Sequence, residues 1–135
     1  MQTILLVDND PLQAFFRKSL LERRFRNVRR VGDAVEALCL VDQAQFATTL
    51  GLVISQPKMA GIGGPEFVAE LHERLPHVPV LVLGGNGDEA GRDYHGGYVR
   101  YLPRPFANEQ LLDVADEMLC QELHSEQLLR NRRAS

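Results

Sequence analysis

The sequence predicts an α/β domain, a parallel sheet of five strands with helices packed on both faces. Three observations carry that expectation. Strand and helix patterns alternate five times along 135 residues, joined by short polar or glycine-containing segments. The central strand candidates are continuous apolar runs, as strands covered on both faces require. The composition, 44% hydrophobic and 24% charged, suits one globular domain with a sizeable core.

Thr3–Val7 is the first strand, an unbroken apolar run. Asp10-Pro11 then opens a helix, because Asp10 can cap the free N–H groups and proline is tolerated at the first helical position. Leu12, Phe15, Phe16, Ser19 and Leu20 recur at helical spacing and are expected to form its inward face. Asn27–Val31 is a short strand, and Gly32-Asp33 leads into a helix over Ala34–Asp42 with Val35, Leu38 and Cys39 inward. Leu50–Ser55 is the third strand, and Pro65–Leu75 the next helix, with Phe67, Val68 and Leu71 inward. Val78–Leu83 is the fourth strand.

Residues 84–97 then hold six of the 11 glycines, Gly84, Gly85, Gly87, Gly91, Gly96 and Gly97. An interior glycine costs a helix ~1 kcal/mol relative to alanine, so any helix near Asp88–Tyr94 should be short. Tyr98–Leu102 is the fifth strand, and Pro103-Arg104-Pro105-Phe106 a rigid turn. Asn108 starts a final helix carrying Leu111, Leu112, Ala115, Met118 and Leu119. Residues 1–121 read as the domain, and residues 122–135 as a helical extension and tail, a candidate linker to an output domain or a dimer contact.

Five βα units with no sixth give a doubly wound, flavodoxin-like sheet of order 2-1-3-4-5. Sites in such sheets form beyond the carboxyl ends of the strands, where the strand order reverses. Asp8-Asn9-Asp10, Gln56, Gly84-Gly85 and Arg104 all fall just past strand ends.

Four stretches in this order carry a resemblance: Ile4–Pro11, Leu52–Gly64, Val80–Gly85 and Tyr101–Phe106. Over about residues 3–120 the chain resembles the receiver domain of two-component response regulators. The resemblance implies a cytoplasmic bacterial signalling domain, not an enzyme, in which an aspartate ending the third strand accepts a phosphoryl group. Two acidic residues after the first strand hold Mg²⁺ there, a hydroxyl ends the fourth strand, and a lysine follows the fifth. A cation must neutralise the phosphoryl oxygens while a carboxylate attacks in line.

Of those five positions this sequence keeps Asp8 alone. Asn9 stands at the second acidic position, Gln56 at the phosphoacceptor, Gly84 at the hydroxyl and Arg104 at the lysine, while the switch aromatic is retained as Tyr101. Mg²⁺ prefers charged oxygen ligands, so Asp8 is a weak metal candidate and no cofactor is expected. Arginine suits carboxylate pairing, and Asp8 and Arg104 are expected to pair directly or through Gln56. Ser55 should point to the opposite face of the strand from Gln56.

The glycine cluster after Leu83 lacks phosphate-loop spacing and any lysine, and reads as a loop suited to partner contact. Seven of the 15 basic residues, Arg17, Lys18, Arg23, Arg24, Arg26, Arg29 and Arg30, crowd into one stretch. They read as a solvated surface or a docking patch for an acidic partner. The net charge of -3 gives no pull toward nucleic acid or membrane, and no apolar stretch approaches a transmembrane span or a signal peptide. His72, His77, His95 and His124 show no ligand spacing and are expected at the surface. Cys39 and Cys120 read as reduced thiols.

The expected function is a phosphorylation-independent protein–protein interaction module. Its surface would combine the glycine-rich segment, Tyr98, Tyr101 and the final helix, with Arg23, Arg24 and Arg26 as further contact residues and a homodimer through the first of these faces. The alternatives are a phosphorelay receiver with an unconventional acceptor and, from another class, a small flavodoxin-like enzyme or nucleotide binder.

Overall fold

Five strands form one parallel sheet of order β2-β1-β3-β4-β5. The computed structural model describes residues 2–58, 62–84 and 98–120. The strands are β1 (Thr3–Val7), β2 (Val28–Val31), β3 (Leu50–Ser55), β4 (Val80–Leu83) and β5 (Val99–Leu102). The helices are α1 (Pro11–Glu22), α2 (Ala34–Val41), the short α3 (Ala44–Ala47) and α4 (Gly64–Arg74), with a last helix, here α5, over residues 108–120. The α3 turn has no counterpart among the expected elements.

Alternation along the strands divides the core in two. Leu5, Val7, Val53, Val80 and Val82 face α2 and α4, where Ala37, Val41, Phe67, Val68 and Leu71 meet them. Ile4, Leu6, Leu52, Ile54, Leu81 and Leu83 face the other way, toward Leu21 of α1 and Leu111, Leu112, Ala115 and Met118 of α5. A strand with both faces covered has no polar position to spare, which is why β3 and β4 read as unbroken apolar runs. The inward residues expected for α4 and α5 are all buried.

Two helices differ from the expectation. In α1 the buried positions are Ala14 and Leu21, with Arg17 also turned inward, while Leu12, Phe15 and Phe16 are exposed. The expected apolar stripe therefore lies on the opposite side of the helix from the sheet. In α2 the buried residues are Ala34, Ala37, Leu40 and Val41, and both Val35 and Cys39 are exposed. Leu38 packs half-buried against the same core, as expected, while Leu40 and Val41 join the alanines on the inner face.

Candidate functional site

The carboxyl edge of the sheet is built from four chain segments. Asp8 follows β1 in register with Ile4 and Leu6, so its side chain leans toward α1. It is 1% exposed. Asp10 caps α1, its Oδ1 accepting from the N–H groups of Leu12 and Gln13. That cap fixes where α1 begins, and from it Gln13 and Arg17 fall on the flank above Asp8 and Gln56.

Arg17 Nη1 donates to Asp8 Oδ2 at 3.2 Å, and the N–H of Asp10 donates to the other carboxylate oxygen at 3.0 Å. The Arg17 side chain is 11% exposed and that of Asp8 0%, so the pair is almost dry. Burial pushes the Arg17 guanidinium toward its neutral form, the charge of Asp8 pulls it back, and the nearby charge of Arg104 pushes it further down. Arg30 reinforces the corner from β2, with Nε and Nη2 on the carbonyl oxygen of Asp8 at 3.1 and 2.7 Å.

The expected pairing of Asp8 with Arg104 is therefore corrected. Arg17, on the helix directly overhead, takes the carboxylate, and Arg104 is exposed. Arg104 instead lies along Gly84: a Cβ on that glycine would stand 3.3 Å from Arg104 Nε. Gly84 has φ +100°, a left-handed conformation that side-chain-bearing residues rarely adopt. Gly84, which the resemblance sets at the family's hydroxyl position, is thus suited to its backbone as well as lacking a side chain.

Gln56 is half-buried, and its Nε2 donates to Gln13 Oε1 at a long 3.5 Å. Asn9 is exposed. Ser55, buried at 0% exposure, lies in register with Val53 and so faces the α2 and α4 side, away from Gln56. Its hydroxyl has no hydrogen-bond partner among the described residues. Tyr101 is half-buried against the α2 and α4 core, and Tyr98 is exposed. Gly85 and the rest of the glycine cluster, His95 and His124 lie outside the described residues, as does the tail.

A divalent ion needs several hard oxygen ligands. Asp8 is the buried carboxylate of the corner, and each of its oxygens already accepts from a donor, one of them a cation. Asp10 is spent on the cap, and Asn9 and Gln56 offer only neutral amides. Among the described residues no cluster of three or more His, Cys, Asp or Glu could hold a metal. The residues present do not fit Mg²⁺.

Several basic residues have partners within the domain. Besides Arg17 and Arg30, Lys18 pairs with Glu22, and Arg24 bridges from the end of α1 to Glu109 and Asp113 of α5. Arg24 is thus a clamp between two helices. Arg23, Arg26 and Arg29 are exposed and make no ion pair among the described residues. His72 is half-buried with Nε2 2.9 Å from the carbonyl oxygen of Val78, and so is not a plain surface residue. Cys39 and Cys120 are both exposed and free.

The sequence profile described as the response regulator receiver domain matches residues 4–116. The chain belongs to this family. Among curated relatives, the receiver is 32% identical over 133 residues to the transcriptional regulatory protein CpxR of Escherichia coli, covering 97% of this chain and 55% of CpxR. It is 33% identical over 112 residues to the C4-dicarboxylate transport transcriptional regulatory protein DctD of Pseudomonas aeruginosa, covering 82% of this chain and 23% of DctD. The chain thus spans about a quarter to just over half of the curated relatives it matches most strongly. Among solved structures, a signal receiver domain of an HD domain-containing protein from Pseudomonas fluorescens superposes with a TM-score of 0.78 at 27% identity, covering 92% of this chain and 98% of that one. A CheY-like receiver from Methanospirillum hungatei gives 0.79 at 21% identity, covering 93% and 98%, a likeness of fold.

Proposed function

We propose that this receiver acts without phosphorylation, as a non-enzymatic protein–protein interaction module in two-component signalling in the bacterial cytoplasm. One observation carries the reading: the buried carboxylate at the heart of the site is neutralised by the chain's own Arg17, beside a glutamine where the family carries its acceptor. Phosphoryl transfer needs a charged nucleophile and a metal to offset the phosphoryl oxygens. The amide of Gln56 supplies no such nucleophile, and the Asp8 corner is occupied by a fixed cation. With Gly84 at the hydroxyl position, no hydroxyl is present there to couple a phosphoryl group to the switch aromatic.

The surface offered to a partner is then set by packing. Arg100 Nη1 bonds Glu117 Oε2 at 2.9 Å, tying β5 to α5, and Tyr98 stands exposed beside that tie. This face, with the glycine-rich segment before it, is the proposed contact surface for a signalling protein.

Incubation with Mg²⁺ and a small phosphodonor such as acetyl phosphate, followed by intact-protein mass measurement, tests the reading. The expected mass is unchanged. A gain of one phosphoryl group on any residue of the receiver would overturn it and favour an unconventional acceptor.

A further inference from the structure

The outer face of α1 takes no part in the site or in the proposed contact surface. Leu12, Phe15 and Phe16 are 66%, 65% and 62% exposed, and the two rings meet edge to face at 5.8 Å between centroids. A contiguous exposed apolar patch of this kind marks an interaction surface. Beside it runs a groove of about 420 Å³ between α1 and the start of α5, whose walls combine Leu12, Phe16 and Phe106 with the polar Asp10, Gln13 and Arg17. Just beyond the C-terminal end of α1, Arg24 reaches across to Glu109 and Asp113 of α5. A projecting aromatic pair and a recess of mixed apolar and polar lining therefore lie side by side on one surface.

A surface that carries both projection and recess can complement itself under a two-fold rotation. The charges fit the same operation. Asp10 is exposed at the start of α1, and Arg23, exposed and without an ion pair among the described residues, lies just past its end. Antiparallel packing of two α1 helices brings each Asp10 toward the Arg23 of the other copy and opposes the two helix dipoles. Ser19, small and exposed, lies on the same outward face and leaves room for a partner helix to approach. A rim with both signs suits a copy of itself better than a partner of one charge, and a net charge of -3 opposes pairing only weakly.

We infer that a second copy of this chain docks on α1, the two helices pairing antiparallel with Phe15 and Phe16 of each copy against the α1–α5 groove of the other. The inference stands apart from the phosphorylation state of the site and leaves the β5 face free for a different protein. The patch is smaller than a standard interface, so a transient dimer with a dissociation constant of roughly 10–100 µM is expected.

Sedimentation equilibrium of the full chain across that concentration range tests it. The expected result is a monomer–dimer equilibrium that Phe16→Ser weakens at least ~10-fold, with far-UV circular dichroism and thermal midpoint retained because Phe16 is outside the core. A strictly monomeric chain, or a dimer indifferent to Phe16→Ser, overturns the inference. A dimer broken by Tyr98→Ser and not by Phe16→Ser does so as well, because it puts the contact on the β5 face.

Discussion

At the carboxyl edge of the sheet Arg17 and Asp8 form a closed ion pair. The side chains of Arg17 and Asp8 are 11% and 0% exposed, so removing one partner strands the other away from water. Arg17→Met is expected to destabilise the domain by about 2–4 kcal/mol in urea unfolding. Adding Asp8→Asn should recover part of that loss, because the uncompensated charge is then gone, and full additivity of the two changes would refute the pairing. Gly84 gives a second residue-scale prediction. Its φ of +100° strains any side-chain-bearing residue, so Gly84→Ser should cost about 1–2 kcal/mol and should not confer phosphodonor labelling. The sequence showed that Asp8, Gln56, Gly84 and Arg104 share one edge, since each follows a strand. It did not show that Arg17 belongs with them. Arg17 was counted in a basic run, and only the rotation of α1 about its own axis decides whether it looks to water or to Asp8.

At the scale of elements, α1 separates what periodicity can say from what it cannot. Its start was legible, because Asp10-Pro11 has one cheap use, and the structure has Asp10 accepting from Leu12 and Gln13. Asp10→Ala should lower stability by about 1 kcal/mol, read as a shifted thermal midpoint with little change in the circular dichroism spectrum of the folded state. The inward face of the same helix was misread. Leu12, Phe15 and Phe16 form a more apolar stripe than Ala14, Arg17 and Leu21, yet the latter meets the sheet. Half of that inner stripe lies above the polar sheet edge, where a guanidinium is needed, and a helix can bury only one side. In α4 and α5 the most apolar stripe and the buried one coincide. In α2 Ala34, Ala37, Leu40 and Val41 take the inner face and leave Val35 outside, 60% exposed.

Across the whole molecule, the proposed phosphorylation independence rests on several positions together, so single reversals should fail. Gln56→Asp is expected to leave the chain unlabelled by a phosphodonor and without saturable Mg²⁺ binding at millimolar concentration. The new carboxylate would still face one neutral amide at Asn9 and an Asp8 already held by Arg17. Mg²⁺ titration followed by amide chemical shifts checks this, and a saturable response localised to residues 8–10 and 56 would contradict it.

The strand order and the edge that carries the site followed from the chain itself. Unbroken apolar runs of strand length, separated by helical patterns and short joins, leave a doubly wound parallel sheet as the arrangement that buries both faces of each run. The amide at Gln56 and the glycine at Gly84 are likewise properties of composition, legible without coordinates. Which cation closes the site, and which face of α1 is left to solvent, were decided by tertiary packing. Both depend on the angle at which one helix sits on the sheet, and that angle balances buried charge against buried area over the domain, which no local pattern contains.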